Sequence, residues 1–346
     1  MEKEIFNQFL SAVATYYKAD PNLVMNGKFF NLRAPEAALL GKNIQQRSDF
    51  LQKINMFNVS HVKGDKLLGA VEKGITGRHP DKRHQAKLDH TQQGYELAVT
   101  DSGVIIPWTM FDNFAVFGDQ LAALYAEYVQ TQIALDQMQI GWHGVSAADN
   151  TTKSDLSDVN IGWLQILRSQ RPDNVYKGNN SNEITLFGSD AEFSSLDELA
   201  IELKQALALR HQNRTDLVFL VGAELANAES RFVSKAAKLK ATERAALNSS
   251  ALMGSFGGMQ AITPPNFPAK GAVVTTLSNL SIYTQSASQR RRIKDDDDKM
   301  GIVDSYYRME GYVVEDLDLM AAIEAKNVFI GTPDKTIAEA KSAASS

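Results

Sequence analysis

The 346-residue chain contains no cysteine. That excludes disulfides, thiolate nucleophiles and thiolate metal sites together, and makes the cytosol the easiest compartment to accept. No apolar run approaches the roughly 18 residues that a membrane span needs, and the opening MEKEIFNQFLSAVATYY has no basic stretch followed by a continuous apolar core. The expectation is therefore a soluble, cytoplasmic protein with no membrane partner. A basic balance is missing as well: 36 Lys and Arg against 41 Asp and Glu leave a formal net charge of -5. No global field then favours tight binding to phosphate backbones, although a weakly acidic surface can still face packaged DNA.

The signatures of catalysis are also missing. There is no Gly-x-Ser-x-Gly elbow and no His-Glu-x-x-His zinc helix, and Gly254, Gly257 and Gly258 are not followed by the Lys-Ser/Thr of a phosphate loop. Acidic pairs such as Glu315-Asp316 have no independent reason to share a pocket. The reading is that the chain is not an enzyme and takes no cofactor and no metal. A metal-dependent hydrolase using His79, His84 and His90 is the contrasting alternative. Spacings of five and six, with Arg78, Lys82, Arg83 and Lys87 interleaved, favour a solvated basic loop instead. The run Asp295 to Lys299, after the basic Arg290 to Lys294, reads as a solvated charged loop, with attraction to a cation or a basic partner surface as the sharper reading. Trp108, Trp142 and Trp163 sit within apolar segments, which favours core or subunit packing over base stacking.

What remains is an ordinary soluble composition, long enough for one large or two interlocked domains. Ile5, Phe9, Leu10, Val13, Ala14 and Tyr17 recur at helical spacing between Glu4 and Tyr17 and give one apolar stripe. A second helix is predicted over Pro35 to Ile54, and a long, broadly apolar one over Phe117 to Trp142. Strand-like runs at Lys66 to Val71 and Tyr95 to Ile106 flank a polar stretch, which predicts a long β-hairpin with a charged tip. Later come a helix over Val159 to Ser169, a capped helix from Ser194 to about His211, a buried strand over Asp216 to Val221, and a helix over Glu224 to Leu247. Gly254 to Pro268 reads as a loop, followed by strands at Ala272 to Leu277, Leu280 to Thr284, Ser305 to Val314 and Asp318 to Phe329.

Four segments add a resemblance. Ser48-Asp49-Phe50-Leu51 leads to Ile54-Asn55 and Val62-Lys63-Gly64, and Gly162-Trp163-Leu164-Gln165 leads to Arg168. Asn279-Leu280-Ser281-Ile282-Tyr283 is followed by Arg290-Arg291, and Tyr312-Val313-Val314-Glu315-Asp316 closes the series. In order and approximate spacing these resemble the major capsid proteins of peduovirus-type tailed bacteriophages, over most of the chain.

The resemblance implies an α+β fold of the Hong Kong 97 type. Its expected parts are an N-terminal arm at 1–57, an extended hairpin loop at 58–107, a long spine helix, a peripheral domain at 108–188 and 273–331, an axial domain at 189–272, and a flexible tail at 332–346. It implies self-assembly into hexamers and pentamers that form an icosahedral head enclosing the genome. The partners would be other copies, an internal scaffolding protein carrying a protease, a portal protein, and double-stranded DNA contacted non-specifically. The protein would be a virion capsid component assembled in the host cytoplasm. It also implies N-terminal trimming at a Lys-Phe segment ahead of a proline, placed here between Phe30 and Asn31, with the arm's apolar helix first docking the scaffold. Arg78, His79, Arg83, His84 and Lys87 would lie in the inter-subunit loop. A minor head component that decorates or joins the shell is the nearer alternative.

Overall fold

In the computed structural model the structure describes residues 3–68, 76–81, 83–84, 94–114, 120–179, 181–236, 254–331 and 336–344. Lys87, His90, the strand expected beyond Leu68, residues 117–119 and the expected helix beyond Ala236 lie outside the described residues.

The fold is organised along the 14-residue strand Gly301–Val314. Ala98–Pro107 runs antiparallel along one side of it, from Pro107 opposite Gly301 to Ala98 opposite Glu310. Along the other side lie Arg290–Asp296, then Leu280–Gln285 with Leu280 opposite Val314. Asn55–Val59 adds in parallel to Leu280–Gln285, and Phe30–Asn31 closes the far edge on Arg290 and Arg291. The helix Leu121–His143 buries Val129, Ile133, Met138 and Ile140 in the core that this sheet covers, with Ile282, Ile293, Ile302 and Tyr312. A strand buries alternate residues and a helix every third or fourth, so these two patterns meet only where both faces are apolar.

A second sheet takes the order Val175–Tyr176, Ala321–Ile323, Ala272–Thr275, Val218–Val221, Met259–Ile262, Ser255–Phe256. The helices Leu196–Gln205 and Ala223–Ala236 belong to this body, and their Leu199, Leu203 and Leu225 share a core with Phe219 and Val274. The first of these helices is capped as its sequence predicts. The Ser195 hydroxyl accepts from Glu198 N–H, and the Glu198 carboxylate accepts from Ser194 N–H at 2.7 Å. Ala321–Ile323 and Val175–Tyr176 thus lie in the same sheet as the segment expected at 189–272.

Several elements differ from expectation. The helix predicted over Pro35 to Ile54 spans Ala34–Gln45 and then stops. Gln45 turns its amide onto the carbonyls of Leu51 and Ile54, at 3.0 and 3.1 Å, so Leu51–Lys53 is a single 3-10 turn leading into a strand. The helix over Val159 to Ser169 begins only at Trp163. Of the run Asp295 to Lys299, read as a solvated loop, Asp295 and Asp296 end the strand Arg290–Asp296, and only Asp297–Lys299 is a turn. Met259–Ile262 is a strand inside the segment read as a Gly- and Pro-rich loop. Asp318 to Phe329 is two short strands, Ala321–Ile323 and Val328–Ile330, with 3-10 turns around them. The predicted hairpin is narrower than 58–107: its described ladder pairs only Lys63–Gly64 with Tyr95–Glu96, because Ala98–Pro107 belongs to the main sheet.

Candidate functional site

The four segments that carry the resemblance meet at one junction. Leu280, Ser281 and Ile282 stand opposite Val314, Val313 and Tyr312 in antiparallel register, so two of the segments are neighbouring strands. Asn279 locks their ends: its side chain accepts from Asp316 N–H at 2.7 Å and donates to the Asp316 carbonyl at 2.9 Å. Trp163 adds the third segment, with its ring edge-on to Tyr312 and Trp142 and its indole N–H on the Ser281 carbonyl at 3.1 Å. Phe50 adds the fourth, 5.6 Å from Trp142. Trp142 and Trp163 are core residues, as their apolar neighbours predict, while Trp108 is only partly buried and donates to Asp295 at 2.7 Å.

Two glycines are obligatory here. A Cβ on Gly141 would lie 2.3 Å from the Trp163 ring, and one on Gly162 would lie 2.4 Å from the Ile140 carbonyl. Only bare backbone allows the end of the spine helix and the chain before Trp163 to come so close.

Three buried polar groups fasten this frame. Arg291 and Asp304 pair across adjacent strands inside the sheet, with Tyr17 accepting from the guanidinium and Tyr125 donating to the carboxylate at 2.8 Å. Burial, and then the Asp304 charge, push the Tyr125 phenol far above its ordinary range. Burial opposes the Arg291 charge, but Asp304 beside it more than offsets that and the guanidinium stays protonated. Arg308 and Glu310 form the second group, and Gln137 of the spine helix donates to Glu310 at 2.7 Å. The third is Glu315, whose carboxylate accepts from Ser281, from Tyr283 at 2.8 Å and from Leu68 N–H at 3.1 Å. This last group ties the root of the hairpin to the sheet. Asp316 points the other way, to His211 at 2.9 Å, and Arg171 and Arg210 bind Asp318 nearby. The adjacent carboxylates Glu315 and Asp316 therefore serve two separate joints.

Phe30 is 2% exposed and stands opposite Arg291 in the sheet, with Asn31 opposite Arg290. The helix Lys3–Tyr16 is not a free arm: Phe6, Phe9, Leu10, Val13 and Ala14 are buried, and Phe6 and Phe9 pack edge-on against Phe111. At the hairpin tip Arg78, His79 and Arg83 are exposed, and the His79 and His84 rings stack at 5.4 Å. Among the described residues no group of three or more His, Asp or Glu is placed to hold a metal. Nor is any helix among them long and apolar enough to cross a membrane.

A long strand backed by a spine helix, a second α/β body and a sheet-rooted extension make up the Hong Kong 97-like fold of phage shell subunits. The chain superposes on one from the procapsid of satellite phage P4, solved with its size determination (Sid) protein, with TM-score 0.75 at 24% identity, covering 96% of this chain and all of that one. The model of the phage major capsid protein, P2 family, matches residues 5–326, and the chain belongs to that family. It is 30% identical to the capsid proteins of Escherichia phage P2, over 96% of its own length and 97% of theirs. It is 24% identical to the major capsid protein of Serratia phage KSP20, over 93% and 95% of the two chains. It is therefore a structural subunit of a virion shell, built by self-association.

Proposed function

We propose that the chain forms hexamers and pentamers that close into an icosahedral phage head around double-stranded DNA. Assembly proceeds in the host cytoplasm around an internal scaffolding protein that carries a protease, with a portal protein at one vertex, and the subunit itself does no catalysis. The observation that carries this is the junction where the four segments meet: it spends its buried charges and tryptophans on rigidity and leaves a polar extension outside the core. The domain roles keep the implied plan with altered bounds: the body at the capsomer axes takes in the second sheet's strands Val175–Tyr176, Ala272–Thr275 and Ala321–Ile323, and Ile337–Ala344 is a helix in the segment expected as a flexible tail. The tip residues Arg78, His79, Arg83, His84 and Lys87 lie against a neighbouring subunit.

Trimming between Phe30 and Asn31 is part of the same reading, with a condition added by the structure. A protease needs an extended, unpaired segment, so the edge strand Phe30–Asn31 must leave Arg290-Arg291 before the bond is cut, and the rate tracks that local opening. Scaffold docking on the N-terminal helix likewise requires that helix to leave its own core. Negative-stain electron microscopy of the full chain, alone and with the scaffolding protein of its own phage, tests the proposal. Closed shells or rings of six and five are expected; a monodisperse monomer in both cases would overturn it. A metal-dependent hydrolase would instead bind stoichiometric metal and lose activity in His84→Ala.

A further inference from the structure

A cleft of about 1050 Å³ opens at the root of the hairpin, with Tyr95, Val145, Ile161 and Ile166 among its walls. Two polar groups lining it are orphans. The Lys66 side chain is 5% exposed, and among the described residues neither its Nζ nor the buried Gln170 Oε1 has a hydrogen-bond partner. Glu315, the obvious mate for Lys66, is already engaged by Ser281, Tyr283 and Leu68. Burial holds the Lys66 ammonium below the ordinary lysine range, and Glu315 and Asp316 oppose that only in part. A folded chain rarely keeps a buried donor and a buried acceptor unmet in one cleft unless something else supplies their partners.

At the other end of the strand Gly301–Val314 stands the turn Asp297–Lys299. Asp295 is held by Trp108 and Asp296 by Lys294, both at 2.7 Å, and the exposed Asp297 and Asp298 have no ion pair among the described residues. Met300 follows, 67% exposed and in a left-handed conformation. At about 3.3 Å per residue the turn and the cleft, which includes Tyr312, lie roughly 35 Å apart, too far to meet within one copy. Complementary patches at opposite ends of a subunit make a head-to-tail contact, which closes into rings when the rotation fits.

We propose that the acidic turn Asp297–Met300 of one copy seats in the cleft of the next. On docking, Lys66 and Gln170 turn their buried ends outward, so that an aspartate carboxylate accepts from Lys66 Nζ, the Lys299 ammonium donates to Gln170 Oε1, and Met300 packs on Val145 and Ile161. The inference rests on the shell reading above and names one of its contacts.

Because the chain has no cysteine, an engineered disulfide reports the contact without background. Shells of the full-length Ser146→Cys/Asp298→Cys variant, with one cysteine on the cleft wall and one on the turn, are verified by electron microscopy beside the wild type, oxidised and run on a non-reducing gel. A ladder extending beyond dimers, absent from each single variant, is expected. Intact shells that give no ladder, or dimers alone, overturn the head-to-tail contact while leaving the shell reading in place. Failure of the wild type to form shells overturns both. A second variant, Asp297→Asn/Asp298→Asn, changes only exposed side chains: its shells should come apart at lower denaturant than wild-type shells while the unassembled subunit melts unchanged. Equal shell stability would contradict the proposal. Lys66→Met should raise the melting temperature of the unassembled subunit, since it removes an orphan charge, and weaken the shell. A lower subunit melting temperature would show that Lys66 is satisfied within its own chain.

Discussion

The N-terminal segment and the hairpin are the two parts of the chain that its sequence presents as arms, and they treat their apolar side chains in opposite ways. Phe6, Phe9, Leu10, Val13, Ala14 and Tyr17 are all buried in the subunit's own core, and Tyr17 completes the polar group around Arg291. At the hairpin root, Leu67 and Leu68 are more than half exposed, while Lys66 lies buried with no hydrogen-bond partner among the described residues. An amphipathic stripe states that a surface must be covered; it does not say whether the cover comes from the same chain or from another. The first segment belongs to the stability of the subunit, and the second to its association.

This contrast can be broken most forcefully at the junction. Trp163→Ala removes a fully buried ring and its hydrogen bond, and should cost about 3–5 kcal/mol in chemical denaturation of the unassembled subunit. A loss under about 1 kcal/mol would deny that the junction holds the fold. Arg291→Met strands Asp304 inside the sheet and should cost about 3–5 kcal/mol, because an uncompensated buried charge remains. Phe9→Ala addresses the N-terminal segment directly. About 3 kcal/mol is expected if the helix is part of the core, and within about 0.5 kcal/mol if it is a free arm.

The opposite result is expected at the hairpin tip. Replacing Arg78, His79 and Arg83 together by Ala should leave subunit stability within about 0.5 kcal/mol of wild type, because these side chains are exposed. Shell yield should fall. An unchanged yield would remove the tip from the interface.

The smallest effect concerns Glu229. Burial raises its carboxyl above the ordinary glutamate range even though it accepts from Leu196 N–H at 2.9 Å. A raised acid pKa contributes stability that is fully present below the unfolded value of 4.5 and is lost as pH rises through the folded value. Glu229→Gln keeps an acceptor and removes the charge, so it should stabilise the subunit at neutral pH and flatten stability over that window. A melting temperature that falls at pH 7 would contradict this.

Local pattern made much of the frame legible, and long-range pairing hid the rest. The N-terminal stripe, the spine helix, the capping box at Ser195 and the buried strand Val218–Val221 all follow from spacing and caps. The strand Arg290–Asp296 was hidden because its inward positions alternate Arg291 with Ile293, and an inward arginine makes sense only beside Asp304, on the neighbouring strand. The helix ending at Gln45 was overrun because Phe50, Leu51 and Ile54 keep helical spacing while serving a turn that Gln45 folds back. The resemblance located four segments, and only the structure shows that they touch. The Lys66 cleft had no local signal at all, since its walls come from segments up to about 250 residues apart.

Hydrogen–deuterium exchange on the unassembled subunit and on the shell, followed in the N-terminal helix and at the hairpin root, tests the account most directly. Amides of residues 5–16 should be protected in the subunit and in shells that keep residues 1–30 uncut, and those of residues 61–68 and 94–97 should gain strong protection only in the shell. Protection at the hairpin root that does not change on assembly, or an N-terminal helix that is protected only in the shell, would contradict the division between a self-contained frame and an extension completed by neighbouring copies.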